Sequence, residues 1–225
     1  MKINLCSRTL ALLGISLLAL ILPACSASSQ GLSSRNFDVA PAGKPGNPKS
    51  QPAIASAPVL NLDLSVDAAY AAIPHRRTAM DFASSNMPDQ DRQFLEVAFH
   101  LIDQAIRLRV STCQKFSSAG IGDSKPLSDM DRLIEYLQSV EAPANLANYQ
   151  AQLLEALFDQ RAFFEEWRLQ GSEFHYASAI ASHPRVQSAS TALRSAYGIL
   201  MQTYPNESNS NKEAFFDYHC ALDFI

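Results

Sequence analysis

The sequence contains no Glu-x-x-His pair, no Cys-x-x-Cys or Cys-x-x-Cys-His and no glycine-rich phosphate loop. The first absence removes the inward-facing carboxylate–histidine pairs on which di-iron bundles are built. The second removes thiol redox motifs, zinc knuckles and covalent haem attachment. The third removes the nucleotide-binding loops that cradle phosphates with backbone N–H groups. Tryptophan occurs once, glycine 8 times and cysteine 4 times in 225 residues. Basic residues are also scarce, 18 Lys and Arg against 22 Asp and Glu. A nucleic-acid surface needs clustered cations to displace counterions from phosphates, so no nucleic-acid partner is expected. No helix-forming segment joins a Lys/Arg-rich face to a Trp/Phe-rich one, which argues against membrane action by an amphipathic helix.

The amino terminus carries the most specific pattern. Lys2 and Arg8 form a positive head, and Leu10 to Leu22 is a run of 13 residues without charge, closed by Pro23-Ala24-Cys25. That run is short for a permanent membrane span, which needs about 20 apolar residues, and reads as the apolar core of an export signal. Leu22-Pro23-Ala24-Cys25 resembles the lipobox of bacterial lipoprotein precursors, with Leu at −3, a small residue at −1 and the cysteine; Pro23 departs from the small or aliphatic residue usual at −2. The resemblance covers residues 1–25 and implies acylation of Cys25, membrane attachment through that lipid and a domain facing the periplasm. Ser26, in place of Asp, is similar to the pattern that permits transfer to an outer membrane. The alternative is an ordinary signal peptide cut nearby, with Cys25 incidental. Removing residues 1–25 leaves 16 positive against 22 negative residues, a net charge of −6.

Cys113 and Cys220 then remain, and two cysteines in an oxidising compartment most simply form one disulfide. The loop of 107 residues between them makes such a bridge worth about 4–5 kcal/mol in a chain-entropy account. Two separate buried thiols are the alternative.

Residues 26–58 are rich in Ser, Ala, Pro, Gly, Gln and Asn and read as a disordered tether, with a reach of roughly 30 Å as a flexible coil. Residues 59–86 read as an arm. Leu60, Leu62, Leu64 and Val66 alternate with polar residues, and Ser65 is placed to cap a short helix from Val66 to Ile73, stopped by Pro74.

Residues 87–225 read as an all-α, up-and-down bundle of about four to five helices. A first long helix opens at Met87-Pro88 and ends at Gly120 and Gly122. Its apolar positions Phe94, Val97, Leu101, Ala105, Leu108, Thr112 and Phe116 keep a three-four spacing. A second, from Ser128 to Val140, opens on a capping box with Asp131 in the acidic place. A third, expected to be the longest, opens at Pro143 and ends at Gly171. A fourth opens at Pro184, where Ala189, Ala192, Ala196 and Gly198 would allow close approach by a neighbour. The last runs from Lys212 to the end.

Candidate chemistry is thin. No catalytic residue, metal ligand or cofactor is nominated. Glu96, His100, Asp103 and Arg107 share one stripe of the first long helix, and a solvated, salt-bridged face is the ordinary meaning of such a stripe. His75, Arg76 and Arg77 sit together beside Pro74, where two arginines can grip a carboxylate or phosphate anion; the competing reading is that they pair with acids of the bundle and fasten the arm. His175 and Tyr176 lie in the connection over residues 172–182, and His183 caps the next helix. His219 beside Cys220, with Met201, is a weak haem signal and reads more simply as a core histidine. Phe163, Phe164, Trp167 and the Phe215-Phe216 pair read as core, with any surplus ring forming a partner patch.

The expected function is therefore a non-enzymatic, exported helical protein that binds a protein partner or supports an envelope assembly. A bundle that binds a small ligand, metal or haem is the second reading. An enzyme with a site assembled from distant residues, such as His75, His175 or His183 beside a carboxylate, is the third.

Overall fold

A computed structural model describes residues 57–73, 75–118, 124–170 and 177–224. The segments read above as an export signal and, as far as residue 56, a tether lie outside the described residues, with Cys25, His175 and Tyr176. Among the described residues the chain is all-α. Its seven α-helices are α1 (Val66–Ala72), α2 (Asp89–Ser118), α3 (Lys125–Ser139), α4 (Ala147–Gln170, after a 3-10 turn at Ala144–Leu146), α5 (Ala177–Ser182), α6 (Pro184–Thr203) and α7 (Asn209–Leu222). None of them is long and apolar enough to cross a membrane.

The five long helices close a ring. α2 packs on α3, α3 on α4, α4 on α6, α6 on α7, and α7 returns to α2, while α1 lies against the outside of α2. The α4–α6 contact is the most extensive, because Ala189, Ala192 and Ala196 are buried small residues that let the helices approach closely. Gly198 does not take part: a Cβ built there meets nothing within 4 Å. All seven apolar positions expected on the first long helix are buried.

The stripe on α2 opposite that seam is not solvated. Asp103, Gln104 and Arg109 are buried, and Arg107 is half-buried. The arm covers them: Arg107 donates to the Leu64 carbonyl at 2.6 Å and the Leu62 carbonyl at 3.2 Å, and Gln104 accepts from the Leu60 N–H at 3.1 Å. Long polar side chains on a buried helix thus satisfy the backbone of an extended segment that forms no ladder of its own.

Four boundaries differ from the sequence expectation. α3 starts at Lys125, since the Leu127 and Ser128 N–H groups already bond to the Ser124 carbonyl, and Pro126 fits the first turn, where its missing N–H costs nothing. Ser128 is therefore inside the helix with its hydroxyl on the Lys125 carbonyl, and Asp131 pairs with Arg161 of α4 rather than closing a capping box. α4 begins after the 3-10 turn, which leaves α2, at 30 residues, longer than α4, at 24. The connection before His183 contains α5, whose ends lack strong caps in the sequence. α7 begins three residues early, because the Ser208 hydroxyl accepts from the Asn211 N–H. Two sequence readings agree in detail: Ser65 caps α1 by accepting from the Ala68 N–H, and His183 Nδ1 caps α6 by accepting from the Arg185 N–H.

Helix C-termini leave carbonyls that need donors, and here neighbouring helices supply them. Gln150 of α4 donates to the Leu137 and Val140 carbonyls at the end of α3, both at 2.7 Å. At the end of α7, Arg109 of α2 donates to the Ala221 carbonyl and Gln160 of α4 to the Leu222 carbonyl, again at 2.7 Å. The Asp223 carboxylate, just past α7, accepts from the Ser190 hydroxyl of α6 at 2.7 Å. These contacts pin the last helix, whereas the sequence points to a Cys113–Cys220 bridge. That bridge is not formed: both cysteines are free, Cys113 buried in the core and Cys220 half-buried, with its thiol pushed up by burial and by the nearby Asp223 and Asp217.

Candidate functional site

After α1 the chain runs back along α7 in the opposite direction. Thr78 donates to Asp217 Oδ2 through its hydroxyl at 2.6 Å and its N–H at 3.2 Å. Asp81 and Asn211 exchange two bonds, from the Asp81 N–H at 2.8 Å and to the Asp81 carbonyl at 3.0 Å. The Ser85 hydroxyl donates to Glu207 at 2.7 Å. Despite the desolvation of its burial, hydrogen bonds from Ser85, the Ser208 N–H and Asn211 hold the Glu207 carboxyl below its usual range.

The basic segment divides between two tasks. Arg77 turns to α2, where it meets Asp103 at 2.6 Å and lies over the Tyr70 ring at 5.7 Å, with Asp67 at 3.6 Å. Tyr70 donates to the other oxygen of Asp103 at 3.2 Å. Burial leaves the Asp103 carboxyl above its ordinary range even so. Arg77 is thereby committed to fastening the arm. Arg76 forms an ion pair with Glu213 of α7 but stays largely exposed.

His75 and Arg76 line a cleft of about 450 Å³ together with Tyr197 of α6 and Lys212, Glu213, Phe216 and Asp217 of α7. Phe216 is 50% exposed, and its ring meets Tyr197 edge-on at 5.7 Å, so the pair forms an apolar wall open to solvent. Phe215, its neighbour, is fully buried; the Phe215-Phe216 pair thus splits between core and surface. Lys212 is tied to the Pro205 carbonyl. Burial, and next the Arg109 guanidinium, hold His75 below its ordinary range, against the pull of Asp217 and Asp223. The imidazole is accordingly neutral at pH 7.

Asp217 is the charged group least open to solvent in this cleft, at 6% exposure. Its Oδ2 is held by two neutral donors of Thr78, and no ion pair reaches Asp217 among the described residues. Comparison with protein-family models, with curated proteins and with solved structures finds no match. The functional reading of the cleft therefore rests on its own chemistry.

Two cations and two acids balance around a half-exposed aromatic pair, and His75 offers one neutral ring. Among the described residues no group of three or more His, Cys, Asp or Glu is arranged to hold a metal ion. His219 lies behind the cleft, its ring 6.4 Å from that of Tyr197. His183, the other described candidate loop histidine, sits against Glu166 at 3.0 Å on the α4–α6 side.

The sequence singles out His75 and Arg76, and Phe216 only as a ring left over from the core, but not Tyr197, Lys212, Glu213 or Asp217. Glu213 and Asp217, an i, i+4 acidic pair flanking the Phe215-Phe216 pair, are the available signal.

Proposed function

We propose that the protein is an exported, non-enzymatic binding protein of the bacterial cell envelope. It is anchored through acylated Cys25, and its helical domain holds a protein partner at the His75–Phe216 cleft. The periplasm, at the face of an outer membrane, is the compartment this reading assigns. Support for the anchor comes from the positive head, the 13-residue uncharged run and Leu22-Pro23-Ala24-Cys25. Support for partner binding comes from one observation above the rest: a half-exposed Phe216 stands in a cleft of balanced charge, built on an arm locked to the bundle through Arg77, Thr78, Asp81 and Ser85. Aromatic rings held rigidly at a surface are efficient anchors for a partner, since little side-chain freedom is lost on binding.

The test is in-cell crosslinking and affinity capture of the full-length chain beside Cys25→Ser. The wild type should incorporate labelled palmitate, partition with membranes and bring down one specific neighbour. Cys25→Ser should lose the label and the neighbour together. Recovery of both forms alone, or of identical neighbours with both, contradicts the proposal.

A further inference from the structure

We infer that the cleft is a subsite for a basic side chain, a lysine ammonium or arginine guanidinium presented by the partner, with Asp217 as its counter-charge. The inference rests on the partner-binding reading above and adds the chemistry of the contact. A carboxylate taken out of water is costly unless it is paired and hydrogen-bonded. Asp217 is 6% exposed and has the hydrogen bonds, both from Thr78, but not the cation. The other charges of the cleft are already engaged. Arg76 is paired with Glu213, Arg77 has turned away to Asp103, and Lys212 reaches back to the Pro205 carbonyl. His75 borders the cleft but is neutral at pH 7 and brings no positive charge.

The walls fit the same occupant. Phe216 and Tyr197 meet at 74°, edge to face, and line the same cleft as Asp217. Aromatic faces attract a cation through the ring quadrupole, and the aliphatic stem of lysine or arginine covers apolar surface while its head stays polar. An acidic side chain gains nothing comparable. It would meet the Glu213 and Asp217 carboxylates, and the two cations of the cleft are already engaged, Arg76 with Glu213 and Lys212 with the Pro205 carbonyl.

A set of four acetylated, amidated tripeptides Ala-x-Ala, with x as lysine, arginine, norleucine or glutamate, separates these possibilities. Each is titrated into full-length protein in detergent micelles, and the aromatic proton shifts of Phe216 and Tyr197 are followed by NMR. Lysine and arginine peptides are expected to bind about tenfold more tightly than the norleucine isostere. Asp217→Asn keeps an oxygen for Thr78 to donate to, and should erase most of that discrimination while a thermal melt confirms folding. Phe216→Ala, at a half-exposed ring, should weaken the lysine peptide about threefold. Norleucine binding as well as lysine, discrimination surviving Asp217→Asn, or glutamate binding most tightly would each overturn the assignment. The two readings fail separately, because crosslinking in cells reports the partner and the peptides report only the chemistry of the cleft.

Discussion

Replacing Arg109 by leucine is expected to destabilise the protein by about 3 kcal/mol, close to 10 °C in Tm for a domain of this size. Arg109 is buried on α2, and its guanidinium donates to the Ala221 carbonyl at 2.7 Å in the last turn of α7. Ala221 and Leu222 are themselves fully buried, so water is not available to replace the donor. Leucine restores the apolar volume but leaves a buried carbonyl without a partner. It also removes a cation from the negative end of a helix dipole and from its position 5.2 Å from the Phe224 ring. Gln160→Leu removes a neutral donor to the Leu222 carbonyl and should cost about half as much. Chemical denaturation of the two variants beside the wild type checks both values. A loss under about 1 kcal/mol for Arg109→Leu would mean that the Arg109 contact adds little to what holds α7.

The second large effect is a dependence on pH. His219 is 3% exposed, its Nδ1 lies 2.6 Å from the Phe215 carbonyl, and its Nε2 has no hydrogen-bond partner. It sits among the rings of Tyr149, Phe99 and Tyr197, with centroids 5.7, 6.3 and 6.4 Å away. Burial pushes its pKa down to about 4, against a smaller upward pull from the Phe215 carbonyl. An unfolded histidine takes up its proton near pH 6.5. Between pH 6.5 and 4 the unfolded chain therefore binds a proton that the folded chain refuses. Stability is full above that window and falls through it, by about 3 kcal/mol in all. His75 is shifted in the same direction and adds to the slope, whereas the raised Asp103 carboxyl opposes it at the acid end. His219→Leu removes the main contribution, so the wild type should lose far more stability than the variant between pH 7.5 and 4.5. Equal slopes for the two proteins, measured by denaturant midpoints at the two pH values, contradict this assignment.

The apolar half of the fold was legible in the sequence, and the polar half was not. Spacing from Phe94 to Phe116 marks one seam of α2, and every residue in it is buried. The same spacing says nothing of what covers the opposite stripe. Asp103 and Arg107 look like members of a solvated face until an arm some 40 residues earlier in the chain is laid across them. Arg109 and Gln160 are unremarkable on their own helices; their role depends on where α7 ends, 112 and 62 residues further along. Helix starts were legible where a cap stands in sequence, as at Ser65 and His183, and shifted where a proline or a second serine competes, as at Pro126 and Ser208. The cleft brings His75 and Arg76 against residues 197–217, a juxtaposition no local pattern encodes.

Docking of a partner at this cleft is tested most directly by a photoreactive phenylalanine analogue placed at position 216 of the full-length protein. The same analogue at position 169, where Leu169 is exposed on α4 away from the cleft, serves as the control. Irradiation of living cells should give a discrete crosslinked product from position 216 that is missing from position 169. The product should also be lost when Asp217→Asn or Cys25→Ser is combined with the analogue. Identical products from both positions, or none from position 216, would contradict the claim.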